Sequence, residues 1–304
     1  MRAISLLSLA FCLLVTPAAA QNSPNGRPLS LSAEAVLLLD HQGKVIYEKN
    51  AAGDHAPASL VKLMTLYLAC DAIEVGRASG DGPVVISARA AQTPRYRMGL
   101  RAGERVPLRT LLEGVAIASA NDAATAVAEH LGGTEEAFVA QMNAKADALQ
   151  LRSTRFANAH GLPDPTQRST AEDLAKLTGH LLQDHPVSRA LLGGANFIYR
   201  GKVYNRNIPL FHDPTGVQAL KTGFTREAGY NLAVGAWRAG ERFVLIVLGS
   251  HTRTLSFKDA RAVLAYGFHE AGIELPAPAT PKRPTLPRRP AQRQRATFRS
   301  APAT

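Results

Sequence analysis

Ser59 and Lys62 stand three residues apart in Pro57-Ala58-Ser59-Leu60-Val61-Lys62, and in a helix that spacing puts two side chains on one face. A serine hydroxyl is a weak nucleophile until a base takes its proton. A neutral lysine amine does so once burial or nearby positive charge has lowered its pKa. Leu60, Val61, Leu63 and Met64 surround Lys62 with apolar groups. The helix start also presents free backbone N–H groups and a positive dipole end beside the reacting oxygen. A serine and a lysine so spaced occur in many ordinary helices, so the pair alone carries little weight.

Two further clusters complement it. Ser119-Ala120-Asn121 follows the apolar Val115–Ala118 and precedes a helical pattern. A second hydroxyl and an amide there can pass a proton to a leaving amine and hold a substrate peptide group; the plain alternative is a helix cap. Lys221-Thr222-Gly223 follows the strand-like Val217–Leu220. Glycine lets an extended substrate lie against the strand edge, Lys221 and Thr222 can bind a carboxylate, and the N–H groups of Phe224 and Ser59 can form an oxyanion hole. A basic residue closing a strand is the plain alternative.

These groups need a frame. Val36–Leu39 and Val45–Tyr47 flank Asp40-His41-Gln42-Gly43, and Tyr230–Trp237 and Phe243–Leu248 flank Arg238-Ala239-Gly240-Glu241, which predicts two hairpins. Between them helical patterns cover 59–74, 108–117, 122–131, 135–149 and 170–182, the last opened by Ser169 and Glu172 spaced as a capping box. A final helix is predicted over Lys258–Ala271, stopped by Gly272. Strands at both ends with helices between predict an α+β fold: an antiparallel β-sheet covered by helices, with a helical insertion.

Ser-x-x-Lys, Ser-x-Asn and Lys-Thr-Gly in that order are far more specific than any one of them. On these motifs the chain resembles the low-molecular-weight penicillin-binding proteins of the serine-type D-alanyl-D-alanine carboxypeptidase kind. The resemblance runs from about Glu34 to Gly267 and takes in His160-Gly161-Leu162, Ser169–Leu174, Asn205-Arg206-Asn207 and Lys221–Leu232. It implies a β-lactamase-like fold, no cofactor, acyl-enzyme chemistry on peptidoglycan stem peptides, and covalent inhibition by β-lactam antibiotics. On that basis Ser59 is the acylated nucleophile and Lys62 its proton acceptor, with Ser119 and Asn121 the second catalytic element. Lys221, Thr222, Gly223 and Phe224 line the substrate. Family members often place a carboxylate-binding arginine after the last strand, and Arg253 in His251-Thr252-Arg253-Thr254 is the candidate here, a solvated surface arginine being the alternative. Phe224 and the segment Phe257–Ala260 also look similar to related endopeptidases that cut cross-links, so terminal trimming and cross-link cleavage both stay open. The all-β domain and amphipathic C-terminal helix of longer members have no counterpart in this sequence.

Other classes fit less well. The Glu-x-x-Leu-Asn motif expected of a class A β-lactamase is missing, Glu172 leading only into Asp173-Leu174-Ala175. There is no His-Glu-x-x-His pair for a metalloprotease and no Gly-x-Ser-x-Gly elbow. A catalytically idle, β-lactam-binding or wall-binding protein on the same fold is the reading from another class, and three intact motifs argue against it.

Composition places the chain. Arg2, the apolar run Ile4–Val15 and Pro17-Ala18-Ala19-Ala20 read as a signal peptide over 1–20, which implies export and a periplasmic or envelope location. The serine peptidase domain is expected over 30–275. The tail, 276–304, holds seven basic residues, seven prolines and no acid, a composition expected to be disordered. Removing those seven charges and Arg2 from the formal +11 leaves +3 for the rest. The basicity therefore marks a tail, either solvated or drawn to an anionic envelope surface, and does not point to nucleic acid. With the signal removed Cys70 is the one cysteine left; it is expected buried in Leu66–Cys70, leaving stability to an apolar core.

Overall fold

A computed structural model describes residues 28–276; the expected signal segment and the tail beyond Pro276 lie outside them. The chain runs β1 (Ala35–Leu39), β2 (Val45–Lys49), α1 (Lys62–Glu74), β3 (Pro83–Val85), α2 (Ala88–Gln92), β4 (Arg105–Pro107), α3 (Leu108–Ala116) and α4 (Asn121–Gly132). It continues through α5 (Glu135–Ala148), α6 (Ala171–Asp184), α7 (Val187–Gly193), the hairpin β5 (Asn196–Tyr199) and β6 (Lys202–Asn205), then β7 (Val217–Thr225), β8 (Gly229–Arg238), β9 (Glu241–Ser250) and α8 (Arg253–Glu270).

The main sheet has the order β2-β1-β9-β8-β7, every pairing antiparallel. Strands from both ends of the described chain therefore share one sheet, with β7 outermost. Period-two alternation splits it into two apolar faces. Ala35, Leu37, Val244, Ile246 and Leu248 join the core beneath α1 and the helical insertion. Val36, Leu38, Leu245 and Val247 pack under α8 against Phe257, Val263, Leu264 and Phe268.

Helix α1 lies inside this body. Ten of its thirteen residues are buried, Lys62 and Cys70 among them, so it is apolar all round in the manner of a core helix. Cys70 is a free, buried thiol, and burial pushes its pKa up to about 12, which suits packing and not reactivity.

Three details differ from the sequence reading. The cap of α6 is Thr170, whose side chain accepts from Asp173 N; Ser169 is instead fully buried, bonded to Thr154 at 2.8 Å. Helix α8 begins five residues before the expected Lys258, because Thr252 caps it by accepting from Leu255 N. The Ser59 helix opens as a 3-10 turn over Ala58–Val61 before α1 begins at Lys62.

Candidate active site

That 3-10 turn matters, because at three residues per turn positions i and i+3 eclipse. Lys62 Nζ lies 3.1 Å from Ser59 Oγ. Its two other partners are Asn121 Oδ1 at 2.7 Å and the carbonyl oxygen of His160. Both of these accept only. A neutral amine has two N–H bonds and one lone pair, so with both bonds donated to those oxygens the lone pair is left facing the Ser59 hydroxyl. Asn121 has no choice of orientation, since its Nδ2 donates to the carbonyls of Pro94 and Arg95 at 3.0 and 2.6 Å.

Burial supplies the neutral form. Lys62 is fully buried, and desolvation brings its pKa down to about 7, with the charge of Asp122 opposing. The Asp122 carboxylate is itself occupied by the backbone N–H groups of Met98, Gly99 and Leu100 at 2.8–3.1 Å. It anchors the 94–100 loop beside α4.

Lys221, on β7, is 1% exposed, and its Nζ donates to Ser119 Oγ and to the Thr222 carbonyl, both at 2.9 Å. Its pKa falls well below the lysine norm through burial first, then the charges of Lys62 and Arg206. Ser119 is not a helix cap: the N-cap of α4 is Ala120, with no side-chain cap hydrogen bond. Ser119 has φ +53°, and Ala58, just before the nucleophile, has φ +50°. Left-handed backbone at a residue with a side chain costs of order 1 kcal/mol, and here it falls on Ser119 itself and on the residue just before Ser59.

Glycine brings the strand to the nucleophile. A Cβ on Gly223 would stand 3.1 Å from Pro57 O and 3.2 Å from Ser59 N, so β7 runs directly against the Ser59 turn. Gly161 is tighter still, with φ +85° and an added Cβ 2.0 Å from Ala58 O. Asn231 on β8 ties the same turn to the sheet. Its Nδ2 donates to Ala56 O and Pro57 O, and its Oδ1 accepts from Gly249 N.

A groove of about 790 Å³ opens over Ser59 and Ser119, with Thr222, Gly223, Phe224 and Arg253 also lining it. Phe224 is 45% exposed and packs on Tyr230, ring centroids 4.3 Å apart. Arg253 is the first residue of α8 and donates to Asn207 O at 2.5 Å, its guanidinium 5.1 Å from the Phe257 ring. The nine residues singled out in the sequence thus share one groove and its floor. Four supporting groups had no role assigned to them. Asp122, Asn231 and the His160 carbonyl are three. The fourth is Arg206, which donates to the carbonyls of Ala116, Leu192, Gly194 and Leu220 and so ties the ends of α3 and α7 to β7. Asp122 stands next to the second motif and the other three lie in segments that the resemblance takes in, but neither signal says which backbone groups will be met.

Comparison with known proteins converges on the same chemistry. Residues 19–252 match the D-alanyl-D-alanine carboxypeptidase family. The chain belongs to that family. Among its relatives, the D-alanyl-D-alanine carboxypeptidases DacC and DacA of Escherichia coli (strain K12) are 35% and 34% identical over 85% and 78% of this chain. The chain spans 67% and 61% of their lengths. The D-alanyl-D-alanine endopeptidase of the same organism is 29% identical over 91% of each chain. Penicillin binding protein 5 from Haemophilus influenzae superposes with a TM-score of 0.77 at 31% identity, over 80% of this chain and 72% of that one. Penicillin-Binding Protein D2 from Listeria monocytogenes, in its ampicillin-bound form, does so at 0.70 and 31%, over 79% and 98%. The family and its α+β fold are those expected from the three motifs.

Proposed function

We propose that this chain is a serine-type D-alanyl-D-alanine carboxypeptidase that removes the terminal D-alanine of peptidoglycan stem peptides through an acyl-enzyme on Ser59. The observation that carries the proposal is the Lys62 amine, with two acceptor-only partners and its lone pair left for Ser59. Ser59 Oγ attacks the carbonyl of the penultimate residue as its proton passes to Lys62. The N–H groups of Ser59 and Phe224 face the oxyanion. The C–N bond breaks, and the leaving amine takes a proton through Ser119 and Lys221. Thr222 and Arg253 hold its carboxylate. Water then attacks the ester with the same groups acting in reverse, releasing the shortened stem and freeing Ser59.

A β-lactam offers Ser59 an equivalent carbonyl, but its leaving nitrogen stays tethered, so the acyl-enzyme persists. The proposed place of action is the periplasm or envelope. There the basic tail would bind an anionic surface, an attachment that deleting 276–304 or raising the salt should weaken.

Digestion of purified cell-wall fragments, with products weighed by mass spectrometry, tests the reaction. Loss of one alanine per stem is the expected result. Splitting of cross-linked dimers is the product of the second reading, an endopeptidase, for which the weaker, 29% identical match to the Escherichia coli endopeptidase is the support. No change in either substrate sinks both.

A further inference from the structure

The His160 carbonyl, which takes one N–H bond of Lys62, lies in the loop between α5 and α6, and a loop carbonyl keeps its direction only if its peptide is held. The backbone just before it is tied from two sides. Thr65, three residues beyond Lys62 on α1, donates its hydroxyl to Ala159 O at 2.6 Å. From the other side Glu135, the first residue of α5, accepts from Ala159 N with its Oε1 at 3.0 Å. The same Oε1 lies 3.5 Å from His160 Nε2.

The His160 ring is set for that approach. Its Nδ1 accepts from Leu162 N at 3.2 Å, and burial, then the charges of Lys62 and Arg89, lower its pKa to about 3. Near neutral pH the ring is uncharged, and with Nδ1 accepting, its proton sits on Nε2, towards the carboxylate. Glu135 is 5% exposed, and a carboxylate so deep is costly unless it is paired. Arg89 pairs it, with Nη2 2.9 Å from Oε2, while its Nη1 meets Glu136 at 2.8 Å. Helix α5 does not need Glu135 as a cap, since Thr134 fills that place by accepting from Ala137 N.

We infer that Glu135, clamped by Arg89, is a positioning residue for the general base. It fixes the Ala159–His160 backbone so that the His160 carbonyl takes one Lys62 N–H and the lone pair is left to Ser59. The role depends on reach and not on charge, for the Lys62 pKa answers to burial and then to Asp122. This inference rests on the function proposed above, in which Lys62 is the base, and adds the residue that aims it.

The test separates reach from charge. Glu135→Gln keeps the reach and drops the charge; Glu135→Asp keeps the charge and draws the oxygens back by one methylene. Penicillin acylation followed by stopped flow across pH resolves non-covalent affinity from the acylation step, and thermal unfolding checks each variant. E135D should acylate about thirty- to a hundredfold more slowly at its plateau, the scale of a 1 Å misplacement, with penicillin affinity within about twofold of native. Loss of an acceptor disfavours the ammonium form, so the acid limb of its profile should move to lower pH. E135Q should recover the rate to within about fivefold of native, with the limb left near 7. A residue that only stabilised the fold would move neither the limb nor the split between affinity and rate. Arg89→Gln, at an exposed position, loosens the clamp alone and should slow acylation about threefold; it carries the test if E135D is unfolded. E135D at the native rate, E135Q as slow as E135D, or R89Q at the native rate overturns the inference. If the native chain takes no penicillin, the proposed reaction fails, and the Lys62 titration decides the inference, read by NMR of isotope-labelled lysine Cε with Lys62→Arg for assignment. A midpoint lower in E135D than in E135Q supports the positioning role, and equal midpoints remove it.

Discussion

The Asn121 side chain meets Lys62 oxygen first, at 2.7 Å, while its nitrogen is held by the backbone of Pro94 and Arg95. An amide oxygen tolerates a neutral amine; a carboxylate in its place favours the ammonium form. Asn121→Asp should therefore raise the Lys62 pKa against the effect of burial, by about one to three units. The rate of penicillin acylation at pH 7 should drop at least about tenfold and recover at higher pH. An acylation profile unmoved on the pH axis would show that Asn121 does not set the state of Lys62.

The native profile has a defined sign. A base must be unprotonated to act, and the Lys62 value of about 7 places the midpoint of acylation near neutrality, with the rate climbing as pH rises. Stability follows the same direction. Between about 7 and the ordinary lysine value of 10.5 the unfolded chain binds the proton that folded Lys62 has released, so this group's contribution rises with pH across that window. Lys62→Arg keeps a permanent cation and offers no base. It should abolish acylation at every pH, as followed by intact-protein mass.

Ser59→Ala removes one oxygen, whose side-chain hydrogen-bond partner among the described residues is Lys62. Covalent labelling by penicillin should disappear while the unfolding temperature stays within about 3 °C of native. Label retained on the variant would move the nucleophile elsewhere.

Gly161→Ala probes the turn and not the chemistry. The new methyl would press on Ala58 O at 2.0 Å in backbone that favours glycine. Something has to yield, and the Ser59 turn is what lies there. Destabilisation of about 2–4 kcal/mol is expected, with acylation slowed about a hundredfold by misplacement of the hydroxyl. Denaturant unfolding and labelling kinetics measure the two effects separately.

The reacting groups were legible because each motif is local. Ser59 and Lys62 lie within one turn, and Lys221 and Gly223 alternate along one strand, so spacing alone nearly specifies their relation. The sheet was legible for a similar reason, in the apolar runs of β1, β8 and β9. The 3-10 start of the Ser59 helix was not, since Ser-Leu-Val-Lys suits either helix and the choice comes from Asn231 and Gly161 pressing on Ala56–Ser59. The β5–β6 hairpin went unseen because Ile198 and Val203 on its outer side are exposed, which blurs the alternation that marks a strand. Similarly, the first turn of α8 reads as polar, although Ser256 and Phe257 are buried.

Strand β1 has β2 on one side and β9 on the other, and Ala35 is partnered with Leu248. A ribosome delivers these two segments far apart in time. Until the later one emerges, β1 lacks a flank and the apolar faces on either side of it have nothing to close against. The nucleophilic turn, pinned by Asn231 of β8, cannot be assembled early. Such distant pairing slows folding, and it also keeps the hydroxyl inert in every unfinished or unfolded copy of the chain.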